Sequence, residues 1–99
     1  MESFNVIGLM SGTSLDGLDI AHCKFNFDEK WHFNLSHHET VPYSKEQKKE
    51  LADLENESAI NYALFHTKFG ELIGNEVNKF IDKNKIAIID FLASHGHTI

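Results

Sequence analysis

Thiol chemistry is almost absent from this chain: Cys23 is its single cysteine. No internal disulfide can form, and no paired-cysteine metal site exists, so a reducing cytosol is the simplest expected home. Basic residues are scarce as well, with 9 against 15 acidic ones and a formal net charge of −6. That balance excludes a broad basic face of the kind non-specific nucleic-acid binding needs, and it argues against an anionic membrane surface as partner. Long apolar runs are missing too. The longest, Ile86 to Ala93, is interrupted by Asp90 and is far too short to span a bilayer. The start, Met1-Glu2-Ser3, lacks the basic region of a signal peptide, and Val6 to Met10 is too short for its apolar segment, which leaves the cytoplasm as the expected location. There is no Gly-Lys-Ser/Thr, so a P-loop lysine is excluded. Internal repeats, low-complexity tracts and linkers are also lacking. What is present is ordinary for a soluble globular chain: 41% hydrophobic and 24% charged residues over 99 positions, enough for one domain with a modest core.

Hydrophobic periodicity gives the order of elements. Phe4 to Met10 is apolar on both sides, as a strand covered on both faces would be. Leu18 to Phe27 alternates, with Leu18, Ile20, His22 and Lys24 on one side. After a turn at Asn26–Lys30, Trp31 to Val41 alternates again through Trp31, Phe33 and Leu35, and Pro42 closes it. Three such runs in succession predict an antiparallel meander. Ser44 and Gln47 have capping-box spacing, which predicts a helix from Lys45 to about Leu54. Ser58 is the expected N-cap of a second helix, Ala59 to about Lys83. Its stripe takes in Ile60, Leu64, Thr67, Ile73, Val77 and Phe80, widened by Phe65, Phe69, Leu72 and Ile81. Gly70 and Gly74 lie four apart and would permit a close helix approach or a mild kink. Lys83 and Lys85 suit the helix carboxyl end. Ile86 to Ala93 then reads as a buried strand, paired parallel in the same sheet. The expected fold class is α/β, in the order βββααβ, with a mixed sheet of three antiparallel strands plus a parallel one and helices packed on it.

The richest stretch is Met10-Ser11-Gly12-Thr13-Ser14-Leu15-Asp16-Gly17-Leu18-Asp19, between the first two strands. A hairpin needs only two or three turn residues. This one concentrates glycines, hydroxyls and a carboxylate. Glycine lets backbone amides approach an anion closely, and the hydroxyls of Thr13 and Ser14 add donors. Asp16 would repel bare phosphate but can hold Mg²⁺ or its water shell beside a nucleotide. The plain alternative is a hairpin turned by Asp16-Gly17. At the other end, Ser94-His95-Gly96-His97-Thr98 places polar, glycine-containing residues where open α/β sheets put ligands, past the carboxyl end of a parallel strand. His95 and His97 could share a zinc ion if both faced one side, but no third ligand stands out. Hydrogen bonding to a sugar or phosphate is the better reading, and a satisfied loop histidine is the structural one. His22 and Cys23, adjacent on a strand, face opposite sides and cannot act as a pair. His22, His32, His37 and His38 read as structural or solvent-facing. Asp19 could turn either into a site or to solvent. Asp90, a charge within an apolar run, must lie at a sheet edge or be hydrogen-bonded.

Gly8 to Asp19, with its Ser-Gly-Thr-Ser-Leu-Asp-Gly core, resembles the opening signature of the anhydro-N-acetylmuramic acid kinases, within the wider superfamily of sugar kinases and actin-like ATPases. Ser94-His95-Gly96-His97-Thr98 resembles that family's Ser/Cys-His-Gly-Gln/His-Thr element. The resemblance implies a partial amino-terminal lobe of a ribonuclease H-like, actin-like ATPase fold. It also implies an ATP- and Mg²⁺-dependent kinase of cell-wall recycling, acting on a small amino sugar. Such enzymes open the anhydro ring of 1,6-anhydro-N-acetylmuramic acid and phosphorylate its 6-oxygen, with a carboxylate base to activate water. Carried over by motif, Gly12, Thr13, Ser14, Leu15, Asp16, Gly17, Leu18 and Asp19 would bind ATP, with Asp16 reaching Mg²⁺ through water. His95, Gly96 and Thr98 would bind substrate. His97 stands where many members carry Gln. The catalytic carboxylate, a second phosphate loop and the adenosine pocket belong to later segments of the family. Residues 1–99 are therefore expected to be an incomplete piece, inactive alone, exposing apolar surface meant for the remainder, and the full-length enzyme is expected to dimerise. The alternatives are a stand-alone phosphate-ligand binding module and a purely structural lobe.

Overall fold

Period-two patterning builds the first three strands, β1 (Glu2–Ser11), β2 (Gly17–Asp28) and β3 (Lys30–Pro42). A computed structural model describes residues 2–12 and 15–97. The β2–β3 turn is a single residue, Glu29, in the left-handed region at φ 64°. Two helices follow, α1 (Lys45–Asp53), which runs on into a short 3₁₀ turn at Leu54–Asn56, and α2 (Ala59–Asn84). The last strand is β4 (Phe91–His97), and the sheet order is β3-β2-β1-β4. β1, β2 and β3 pair antiparallel, while β4 pairs parallel to β1. The fold is thus α/β in the order βββααβ, with the mixed sheet expected.

Local signals fixed the helix ends. Ser44 Oγ accepts from Gln47 N, while Ser44 N donates back to Gln47 Oε1, closing the capping box. Ser58 Oγ accepts from Asn61 N at the head of α2. At its foot Lys85 adopts φ 53° and Ile86 N donates to Ile81 O, a Schellman-type closure with lysine in the place glycine usually takes.

Only one face of the sheet is covered. Ile7, Leu9, Leu18 and Ile20 turn toward the helices and bury with Tyr43, Leu51, Leu54, Val77 and Phe80. β3 joins this arrangement through a bulge. His22 pairs with His37 but Cys23 with Leu35, which leaves Ser36 as the extra residue. An added residue reverses which side each later residue faces. Val41 therefore packs against the core, whereas Trp31 and Phe33, in the same odd-numbered series, stand on the open face.

Five expectations need correction. The stretch Ile86–Asp90 is not a strand; β4 begins at Phe91 and runs through Ser94–His97. The parallel register starts with Phe91 against Val6. Ile86 and Ile89 pack on the core instead. The His95–His97 segment is accordingly the end of a strand and not a loop beyond one. The stripe of α2 is carried by Phe65, Phe69, Leu72, Ile73, Val77, Phe80 and Ile81, while Ile60 and Leu64 are exposed on a different line of the helix. Gly70 and Gly74 have no neighbour that an added methyl would touch, so they mark no close helix approach. The strand β1 is covered on one face only, although its sequence is apolar on both.

Asp90 is hydrogen-bonded, as its position required. Its carboxylate accepts from Asn5 N at 2.7 Å, and its own N donates to Asn5 O at 2.8 Å. This clip sets the entry of β4.

Candidate functional site at the carboxyl end of the central strands

The ends of β1 and β4, distant in sequence, meet at one end of the sheet. Ser11 pairs with His97, and their side chains touch across 86 positions of sequence. Leu15 N donates to Gly12 O at 3.2 Å, with Leu15 itself left-handed at φ 59°. Tyr43 N donates to Asp16 O at 3.2 Å, tying the turn to the foot of β3. Gly17 is needed for space: an added Cβ would run into the carbonyl oxygen of Val41. Asp16 is exposed at the tip. Asp19 lies on the open face, where its carboxylate accepts from the Thr40 hydroxyl. Leu18 sends its side chain into the core, so it anchors the turn by packing and offers a ligand no side-chain contact. Leu15 packs partly against the same core. Thr13, Ser14 and Thr98 lie outside the described residues.

The end of β4 carries the sharper feature. Leu9 pairs with Ser94 but Ser11 with His97, so β4 has one residue more than β1 over this stretch. Gly96, at φ 77°, supplies the left-handed step such a bulge requires. The result divides the two histidines. His95 lines a shallow trough on the open face with Gly8, Met10, Asp19, Ala21 and Ala93. His97 lines a cavity of about 390 Å³ on the helix side, with Phe65, His66, Phe69, Gly70 and Ser94 among its walls. They do not converge on one metal, and no group of three metal-capable side chains occurs among the described residues.

Two polar strings cross the helix side of the sheet. In the first, Tyr43 Oη donates to Ser11 Oγ at 2.7 Å, and Ser11 Oγ lies 2.9 Å from His97 Nδ1. The His97 ring meets Phe69 edge-on, with centroids 6.5 Å apart. Tyr43 is buried, and that burial pushes its phenol above the ordinary value of 10.0; the Ser11 hydrogen bond opposes the rise and the Asp19 charge adds to it. In the second string, His22 Nε2 lies 3.1 Å from Asn5 Oδ1, and His22 Nδ1 lies 3.2 Å from His37 Nδ1, the rings parallel within 5°. With the Asn5 oxygen as acceptor, His22 carries its proton on Nε2 and accepts from His37. Burial above all, then His37 and Lys24, hold the His22 imidazole below its ordinary value of 6.5.

Sequence reasoning missed both strings. Ser11 opens the Ser-Gly-Thr-Ser-Leu-Asp-Gly core, which was a usable signal. Tyr43 and the His22–His37–Asn5 trio are joined only by strand register and by the Ser36 bulge, and neither is written in local sequence.

Comparison with known proteins adds the family context. The model of the family described as anhydro-N-acetylmuramic acid kinase matches residues 4–99. A protein of that name from Pseudoalteromonas translucida (strain TAC 125) is 38% identical over 100 residues, covering 95% of this chain and 25% of the relative. One from Francisella tularensis subsp. novicida (strain U112) is 38% identical over 104 residues, covering 94% and 26%. One from Bacillus cereus (strain AH187) is 31% identical over 102 residues, covering 95% and 26%. The chain spans about a quarter of the length of these curated relatives. No helix among the described residues is long and apolar enough to cross a membrane.

Proposed function

The chain belongs to the anhydro-N-acetylmuramic acid kinase family, and on that premise we propose that it forms part of an ATP-dependent kinase of 1,6-anhydro-N-acetylmuramic acid. The reaction opens the anhydro ring with water and places the γ-phosphoryl group on the 6-oxygen. Its products are N-acetylmuramic acid 6-phosphate and ADP, and its setting is cytoplasmic recycling of peptidoglycan. The observation that carries the reading is the meeting of Ser11, at the carboxyl end of β1 where the motif begins, with His97 at the end of β4. It lies at the carboxyl end of adjacent parallel strands, where α/β sheets bind ligands, with the glycine-bearing turn leaving β1 and Gly96 and His97 closing β4.

In this reading Gly12 to Asp19 receive the nucleotide phosphates, and Gly96 and Thr98 border the sugar, while His95 faces the open side of the sheet, away from the cavity that Gly96 and His97 line. Phosphoryl transfer asks the protein mainly for positioning and charge stabilisation. Magnesium is commonly held by one or two carboxylates together with phosphate oxygens and water. Asp16, exposed at the turn, fits that donor set, whereas the Asp19 carboxylate is already engaged by Thr40. Bound there, Mg²⁺ would neutralise charge on the phosphates. The base that activates water is not assigned within residues 1–99, and the 99 residues alone are not expected to turn over substrate.

The test is a coupled assay on the full-length protein with Mg-ATP and the anhydro sugar in isotopically heavy water. Expected is ADP release matched one to one by a sugar phosphate that carries one solvent oxygen. A sugar phosphorylated with its ring intact, or ATP consumed equally without sugar, would contradict the reading.

A further inference from the structure

His97 is held by a chain of hydroxyls whose proton directions can be worked out. Tyr43 Oη and Ser11 Oγ lie 2.7 Å apart and are buried together. Ser11 Oγ in turn meets His97 Nδ1 at 2.9 Å. A serine hydroxyl has one proton, and so has a phenol. Suppose His97 Nδ1 carried a proton and donated it to Ser11. Ser11 would then have to donate to Tyr43, and the phenol proton would need a further acceptor. Among the described residues the phenol's only hydrogen-bond partner is Ser11, and an unpaired buried donor is costly. The opposite order satisfies every group: Tyr43 donates to Ser11, and Ser11 donates to an unprotonated Nδ1. The imidazole then carries its proton on Nε2.

From this geometry we propose that Tyr43 and Ser11 are positioning residues, which lock His97 in the Nε2–H form so that it offers a hydrogen-bond donor to an oxygen of the bound sugar. Three observations support the assignment beyond the hydroxyl chain. The Gly96 bulge is what turns His97 to the Ser11 side at all, and bulges recur where a strand must re-aim a side chain. Phe69 contacts the ring at its edge and restricts its rotation. The imidazole forms part of the wall of the 390 Å³ cavity, whose other walls, Phe65, Phe69 and Ile73 among them, are mainly apolar. A few fixed polar groups in an apolar cavity are what orient a small ligand. A phenol keeps its proton at neutral pH, and burial moves Tyr43 further from ionisation. The identity of the ligand rests on the function proposed above; the tautomer does not.

The experiment uses full-length protein labelled with ¹⁵N-histidine, the His97 signals being assigned by their loss in His97→Gln. Two-dimensional imidazole spectra at neutral pH are expected to show Nδ1 as the unprotonated nitrogen and Nε2 as the protonated one. Tyr43→Phe, and independently Ser11→Ala, should mix the two tautomers. Each should raise KM for the anhydro sugar about three- to tenfold, the worth of one misdirected hydrogen bond, with kcat and KM for ATP changed less than about twofold. In a His97→Gln background the Tyr43→Phe change should add less than about twofold, because an amide has no tautomer to lose. A protonated Nδ1 in the unaltered protein would overturn the proposal, and so would Tyr43→Phe and Ser11→Ala both leaving tautomer and sugar KM unmoved. If the protein transfers no phosphate to the anhydro sugar, the function proposed above fails, and the spectra alone decide the tautomer assignment.

Discussion

On the helix side of the sheet Ile7 and Ile20 are fully buried beneath α2, and Leu18 is 1% exposed. On the other side Phe33 is 75% exposed, Trp31 57% and Phe91 55%. Both faces alternate apolar residues, so hydrophobicity does not separate them. Geometry does. The open face gathers its aromatics at the end of the sheet remote from the turn, where Phe4, Phe27, Trp31 and Phe91 have neighbouring ring centroids 5.2–6.1 Å apart. Toward the turn that face becomes a row of small residues: Gly8 is paired with Ala21 on one side and Ala93 on the other. The covered face does the reverse, with branched aliphatics at its centre and the polar strings Tyr43–Ser11–His97 and His37–His22–Asn5 threaded between strands. Apolar alternation therefore marks where a strand has a buried side only after something is known to cover it.

The contrast is broken most strongly by truncating matched residues. Ile20→Ala, on the covered face, is expected to cost about 2–5 kcal/mol, because it removes a fully packed side chain and leaves a cavity. Phe33→Ala, on the open face, should cost less than about 1 kcal/mol, since surface substitutions seldom exceed that. Urea unfolding followed by circular dichroism compares the two, and equal losses would mean that the open face is packed after all. A smaller effect sharpens the comparison through pH. His22 is held below its ordinary 6.5 in the folded state, so the unfolded chain takes up the proton first on acidification. The stabilisation linked to this group is complete above 6.5 and is lost as pH falls through the depressed folded value. The melting temperature should drop between pH 7.5 and pH 5, with part of the drop abolished in His22→Gln. A slope unchanged by that substitution would remove His22 from the account.

Legibility followed the range of the signal. The two N-caps at Ser44 and Ser58 and the stop at Pro42 depend on neighbours within four residues, and all were readable. The face of Leu18, Ile20 and His22 was readable because β2 alternates without interruption. The Ser36 bulge was not, because one extra residue shows only when a partner strand is laid beside it. The same limit hid the start of β4. Ile86–Ile89 has the composition of a strand, but Ile86 and Ile89 pack their apolar side chains on the core. It also hid the division of His95 from His97, which the spacing allowed to share a face and which the Gly96 bulge forbids. Of the candidate site, the turn could be found as a motif. Tyr43 could not, since its link to Ser11 spans 32 residues and runs through the tertiary fold.

The central claim is that the turn between β1 and β2 receives the phosphates of a nucleotide. Hydrogen–deuterium exchange of the full-length protein, with and without a non-hydrolysable Mg-ATP analogue, tests it without any substitution. The account predicts that amides within Met10–Asp19 gain protection on binding, more than those of the aromatic end of the open face. Saturating analogue, with binding verified by calorimetry and that segment exchanging as fast as before, would contradict it.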